Sequence, residues 1–163
     1  MIREFNGKKP VIHPTAIVDE SSLIMGNVVV EERASIWPHA MIRADEAMVR
    51  VEKEACLLDK VFVEAPRETV IGKRSIISHG AIIHGSIIGD DVLVGIGAIV
   101  LEVEVGRGSI VAAGAVVRED VGEGVMVAGV PAREVKKVGE KERQNIEKMR
   151  REIAEKATHL YRK

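Results

Sequence analysis

From Ile71 onward the chain sets single aliphatic residues among small and polar ones in a fixed rhythm. The segments IGKRSI, ISHGAI and IHGSI are followed by IGDDVL, VGIGAI and VLEVE, then by VGRGSI, VAAGAV and VREDV. Each group of three spans 17 residues, so Ile71, Ile88 and Val105 share one register, Ile77, Val94 and Val111 a second, and Ile83, Val100 and Val117 a third. Such self-similarity signals stacked units that bury a continuous core only by piling on their neighbours. The chain is expected to turn a corner about every six residues, with the aliphatic residue pointing inward and Ser75, Ala81, Ala98, Ser109 or Ala115 filling the tight positions. A β-sandwich would space its turns roughly 8–12 residues apart, too long for this rhythm.

Upstream, IHPTAI, VDESSL and IMGNV (residues 12–28) keep the spacing, whereas Ile36, Ile42, Val49, Leu57 and Val63 follow more loosely, which predicts excursions from the coils. Ala65 to Val70, with Pro66, reads as a loop leaving the coil, and Gly129-Val130-Pro131 ends the repeat. From about Glu140, Ile146, Met149, Ile153, Ala157 and Leu160 recur at three- and four-residue spacing, a helical stripe. The expected fold is mainly β: a parallel β-helix of hexapeptide repeats (1–132, coils from about residue 11 to 130), with a C-terminal α-helix (133–163) packed on it, in one domain.

Composition agrees with that reading. The chain has 163 residues, of which 46% are apolar and only 2% aromatic (Phe5, Trp37, Phe62 and Tyr161), as a narrow aliphatic column requires. Few rings and a net charge of −1 argue against nucleic-acid binding. Residues 133–163 carry +5 and the remainder −6, which reads as a solvated basic helix surface. The longest apolar run, Val92 to Leu101, is short of the ~18 residues of a membrane span, and MIREFNGKKP lacks an apolar leader. Cys56 is alone, so no internal disulfide forms. A soluble, cytoplasmic protein is expected, with neither nucleic acid nor membrane as partner.

A solenoid has no inherent chemistry, so function is sought in residues that break the repeat. His79 and His84 do so; one coil later their places are taken by Ile96 and Leu101. Two imidazoles in adjacent units point to a metal, since neutral histidine is the commonest zinc ligand, or else to two polar residues facing solvent. His13, His39 and His159 read as structural or exposed, and Cys56 as a small buried residue.

The hexapeptide coils, SIWPHAMIRADEAM (35–48), the Asp59 region, ISHGAIIHG (77–85) and GVPA (129–132) followed by a helix together resemble gamma-class carbonic anhydrases, a group that includes proteins named ferripyochelin-binding. The resemblance spans residues 8 to 160. It implies a homotrimer of left-handed parallel β-helices, an exception to right-handed crossovers, with Zn²⁺ (or Fe²⁺ or Co²⁺) held at each subunit interface and CO2 hydrated reversibly to bicarbonate. It assigns the metal to three histidines, the last two matching His79 and His84, with the middle ligand coming from a neighbouring subunit. The first position is Glu64, in Asp59-Lys60-Val61-Phe62-Val63-Glu64. A carboxylate is a legitimate zinc ligand, and a solvent-facing Glu64 beside a vacant site is the alternative. The same likeness gives Glu46 the proton-shuttle position and makes Arg43, Asp45 and Asp59 an ion-pair network. The chain departs from the pattern at Leu58, where a glutamine is usual, at Cys56, where an asparagine is, and at Tyr161, which lies about two turns past the usual tyrosine.

Three functions are therefore carried forward, in this order: a gamma-class carbonic anhydrase, a non-catalytic trimeric scaffold with a degenerate site, and a hexapeptide acyltransferase. The last usually carries its histidine on an inserted loop, and no such insertion is visible.

Overall fold

A computed structural model describes residues 1–160. The chain forms a left-handed parallel β-helix with one C-terminal helix, α1 (Glu140–His159). Among the described residues an 11-stranded sheet folds over two faces of the solenoid and an 8-stranded sheet closes the third. The strand Met41–Val51 joins the first two faces, pairing through Met41–Arg43 with Phe62–Glu64 and through Val49–Val51 with Thr69–Ile71. Every pairing is parallel except two: the strand Arg133–Lys137 runs antiparallel to Val125–Ala128, and Phe5 makes an isolated antiparallel bridge with Lys8.

The three registers of the repeat are inward-facing strand positions, one on each face of the stack. Ile77 pairs with Val94 and Val94 with Val111, Ile83 with Val100 and Val100 with Val117, and Ile71 with Ile88 and Ile88 with Val105. All of these side chains are buried, with no aromatic ring among them. Trp37 packs instead against Cys56, Leu58, Ile76 and Ile153 under α1, and Phe62 lies on the outer face. Ser75 and Ser109 are fully buried because each hydroxyl bridges two coils: Ser75 donates to the Gly89 carbonyl (2.7 Å) and accepts from the Val92 amide (2.9 Å). That satisfies groups that burial would otherwise penalise.

Several expectations are corrected. The stack begins earlier than residue 11, because Ile2–Arg3 pairs with Ile24 and Met25. The loop after Ala65 is shorter than expected, since Thr69–Ile71 is already strand. Residues 133–137 extend the sheet before the helix starts; the strand's five residues are all exposed, so no hydrophobic alternation marked it. Of the helical stripe only Ile153 and Ala157 are fully buried; Met149 and Leu160 are exposed, because α1 touches the solenoid along a narrow line. Tyr161 lies outside the described residues. No helix among the described residues is long and apolar enough to cross a membrane.

Candidate functional site

Alternation along each strand fixes which side chains leave the core. Val63 and Ile83 point inward, so Phe62, Glu64, Ile82 and His84 point outward. Strand register stacks them into two outer columns. One is apolar and half-buried: Leu23, Met41, Phe62, Ile82, Ile99 and Val116. The other, on the same face, runs Met25, Arg43, Glu64, His84 and Leu101.

The second column carries the first cluster. Arg43 hydrogen-bonds one oxygen of Glu64, lies 3.4 Å from Asp45 and sits 5.8 Å from the Phe62 ring centroid. The Glu64 bond, opposed by partial burial, keeps the Arg43 guanidinium above its ordinary pKa. The other Glu64 oxygen faces His84 Nε2 at 3.7 Å, and His84 Nδ1 faces Glu102 at 3.6 Å. These are approaches rather than hydrogen bonds. Arg43 Nε is buried with no hydrogen-bond partner among the described residues, so the cluster is incompletely satisfied within one chain. Glu46 is exposed on the corner excursion Asp45–Met48 and acts on Arg43 only through its charge.

The second cluster sits at a different corner. Asp59 and His79 occupy equivalent places in successive coils: the Gly80 amide donates to the Asp59 carbonyl (2.9 Å), and Gly97 donates to that of His79 (3.0 Å). Stacking brings His79 Nδ1 to 2.9 Å from Asp59 Oδ2, with the imidazole about half exposed. Nε2 makes no hydrogen bond among the described residues. His79 stands at the rim of a groove of about 450 Å³ between the solenoid and α1, floored by Gly95, Ala112 and Ala113 and walled by Leu58, Ile96 and Met149.

Within one chain Arg43, Asp45, Glu64 and His84 converge, Asp59 lies beside His79, and Glu46 stands apart. Sequence reasoning missed Glu102 and the groove beside His79. Glu102 follows Leu101, the coil equivalent of His84, so counting one place further in that register could have found it. For a metal ion, Glu64 Oε2 and His84 Nε2 are opposed at a separation that bonds of ~2.0–2.2 Å could bridge. Arg43 already holds the other carboxylate oxygen, and no group of three His, Cys, Asp or Glu able to hold a metal exists among the described residues of one chain. The pair fits as two of three donors, leaving the third to a second copy.

No family model matches the chain. It is 36% identical over 100 residues to the carnitine operon protein CaiE of Escherichia coli (strain SMS-3-5 / SECEC), covering 60% of this chain and 51% of that one. The chain therefore spans about half the length of the curated relatives it matches. Among solved structures, a hexapeptide transferase family protein from Anaplasma phagocytophilum is 28% identical with a TM-score of 0.94, over 98% of this chain and 97% of that one. A candidate acetyltransferase from Bacillus cereus is 26% identical with a TM-score of 0.91, over 98% and 95%. None of these three is described as a carbonic anhydrase.

Proposed function

We propose that this chain is a subunit of a homotrimeric hexapeptide-repeat acyltransferase, with His79 as general base. The observation that carries this reading is the approach of His79 Nδ1 to within 2.9 Å of Asp59 Oδ2 beside an apolar groove. With its Nδ1–H turned toward Asp59, His79 would present Nε2 as the basic nitrogen. Nε2 takes the proton of an acceptor hydroxyl or amine. The freed lone pair attacks a thioester carbonyl, the C–S bond breaks, and the thiolate leaves to be protonated. The small residues on the groove floor leave room for a slender acyl donor. The likeness to the two transferase-named structures supports the same reaction class. The half-buried apolar column from Leu23 to Val116 is the surface through which copies would meet, since a contiguous apolar stripe left partly open to solvent marks an interaction site.

Acetyl-CoA is the probe. Calorimetry should show saturable CoA binding to the wild-type protein, and thiol release from acetyl-CoA should be catalysed with hydroxyl or amine acceptors present. His79→Gln should keep CoA binding and lose turnover. Absence of CoA binding, or full turnover in His79→Gln, would overturn the reading.

The opposed Glu64 and His84 favour a second reading, metal-dependent CO2 hydration at a subunit boundary. Glu64 and His84 of one chain, with His79 from a second copy, would hold Zn²⁺, Fe²⁺ or Co²⁺. Such an ion, when bound, acidifies a water near neutral pH. Arg43 and Asp45 would then orient the Glu64 carboxylate, and Glu46 would pass protons to solvent. Metal content measured on protein purified without chelators or oxygen tests this reading, and metal-free protein would refute it.

A further inference from the structure

A second hollow lies on the other side of α1 from the His79 groove, and its origin is visible in one corner of the solenoid. There the turn residues stack coil on coil: Arg33, Glu54, Arg74 and Asp91 all adopt positive φ (55° to 60°), and their charges alternate. Arg33 donates to Glu54 at 2.8 and 3.0 Å, and Arg74 makes a two-pronged bond to Asp91 at 2.7 and 2.8 Å. The ladder then stops, because the next two turn positions are Gly108 and Gly124. A Cβ at either would meet nothing within 4 Å. The missing side chains leave a groove of about 600 Å³ under the N-terminal half of α1.

Charge in this groove is unevenly committed. Both Asp91 oxygens are taken by Arg74, and Glu147 is held by Arg150 and Arg151. Two guanidinium groups make no hydrogen bond to a carboxylate among the described residues. Arg107 is two-thirds exposed and comes no nearer to Asp91 than 3.7 Å, and Arg143 donates only to the uncharged Val138 carbonyl (2.9 and 3.1 Å). Against them stands one carboxylate, Glu123, exposed and outside every ion pair among the described residues. The exposed fork of Arg107, the remaining N–H groups of Arg143 and the carboxylate of Glu123 match an oxyanion with a neighbouring hydroxyl, since arginine recognises phosphate through paired N–H donors.

We propose that this groove binds a small phosphate monoester, its phosphoryl oxygens on Arg107 and Arg143 and a hydroxyl on Glu123. The site is independent of the His79 reaction, and none of its residues belongs to either histidine cluster.

Titration of the full chain with inorganic phosphate, followed by calorimetry in dilute chloride buffer, tests the phosphoryl half. Saturable binding that weakens with added salt is expected. Arg107→Ala and Arg143→Ala should each weaken it about tenfold or more, as loss of a charge-assisted hydrogen bond does. Glu123→Gln should tighten phosphate several-fold by removing a repelling charge, while weakening glycerol phosphate relative to phosphate. Arg143→Ala also strips a contact from Val138; Arg107→Ala touches no backbone and decides the matter if the other variant misfolds. No saturable binding, or binding indifferent to Arg107→Ala, would overturn the proposal.

Discussion

Asp59→Asn isolates the part of catalysis that depends on holding His79, because it preserves shape and removes only the charge. The contact it alters, Nδ1 to Oδ2 at 2.9 Å, lies between side chains that are 53% and 38% exposed. A charge-assisted hydrogen bond in a protected site is worth about 1.5–3 kcal/mol. Exposed ion pairs commonly contribute only about 0–1 kcal/mol. The half-exposed dyad lies between, at about 1–2 kcal/mol, which corresponds to roughly a 5- to 30-fold loss of turnover. His79→Gln removes the base itself and should lose about 10²- to 10⁴-fold. The assay is initial-rate thiol release from acetyl-CoA at fixed acceptor, with CoA affinity measured separately and expected to stay constant in both variants. The two losses should therefore be clearly ranked. Equal losses would mean that Asp59 reacts directly or that both variants disturb the coil; an unchanged rate in Asp59→Asn would mean the dyad does not orient the base.

The remaining expectations probe other links. Under the metal reading, Glu64→Gln should strip metal from the wild-type protein and Glu64→His should raise zinc content measured by atomic absorption; equal content in all three would exclude Glu64 as a ligand. Gly72→Ala should destabilise the solenoid by about 1–3 kcal/mol in denaturant unfolding, the usual cost of overpacking, because its Cβ would fall 2.4 Å from the Gly89 carbonyl carbon; unchanged stability would show that the coils can part freely. Hydrogen bonds from Arg150, then Arg151, pull the Glu147 carboxyl from 4.5 down to about 2. Its stabilisation is therefore present above the ordinary carboxylate range and is lost as pH falls toward 2. Since Glu147 is 42% exposed, that loss should stay under about 1 kcal/mol, and Glu147→Gln should flatten the pH dependence of unfolding in that window.

The coils were legible because one side chain in each hexapeptide must fill a column that admits only aliphatic groups. Residues 71–117 satisfy that demand without interruption, and the observed pairings there follow the 17-residue offset position by position; the next bridge, Val105 to Val121, is already shortened to 16. Legibility failed where burial stopped deciding the sequence. Arg133–Lys137 pairs through its backbone alone and needs no apolar residue, so nothing in REVKK announced a strand. Met149 and Leu160 fit a helical period yet remain exposed, because periodicity records a stripe's position and not the width of the surface it meets. Met149 instead walls the His79 groove.

The candidate site was half-legible for a related reason. Between the coils holding Glu64 and His84 the offset is 20 residues instead of 17, because five residues, 65–69, separate Glu64 from Val70 where only Gly85 and Ser86 separate His84 from Ile87. Phe62 and Ile82, Glu64 and His84, and Asp59 and His79 are all displaced by that same amount. Glu64 survived the displacement as a candidate because the resemblance named its position. Asp59 did not survive as His79's partner: counting by 17 from His79 reaches Phe62, so the column joining them was hidden and Asp59 was left to the Arg43 network. The longer corner thus hides in the sequence a stacking that the backbone keeps regular: Arg43, Glu64 and His84 stand on one face, while Asp59 and His79 meet beside the groove under α1.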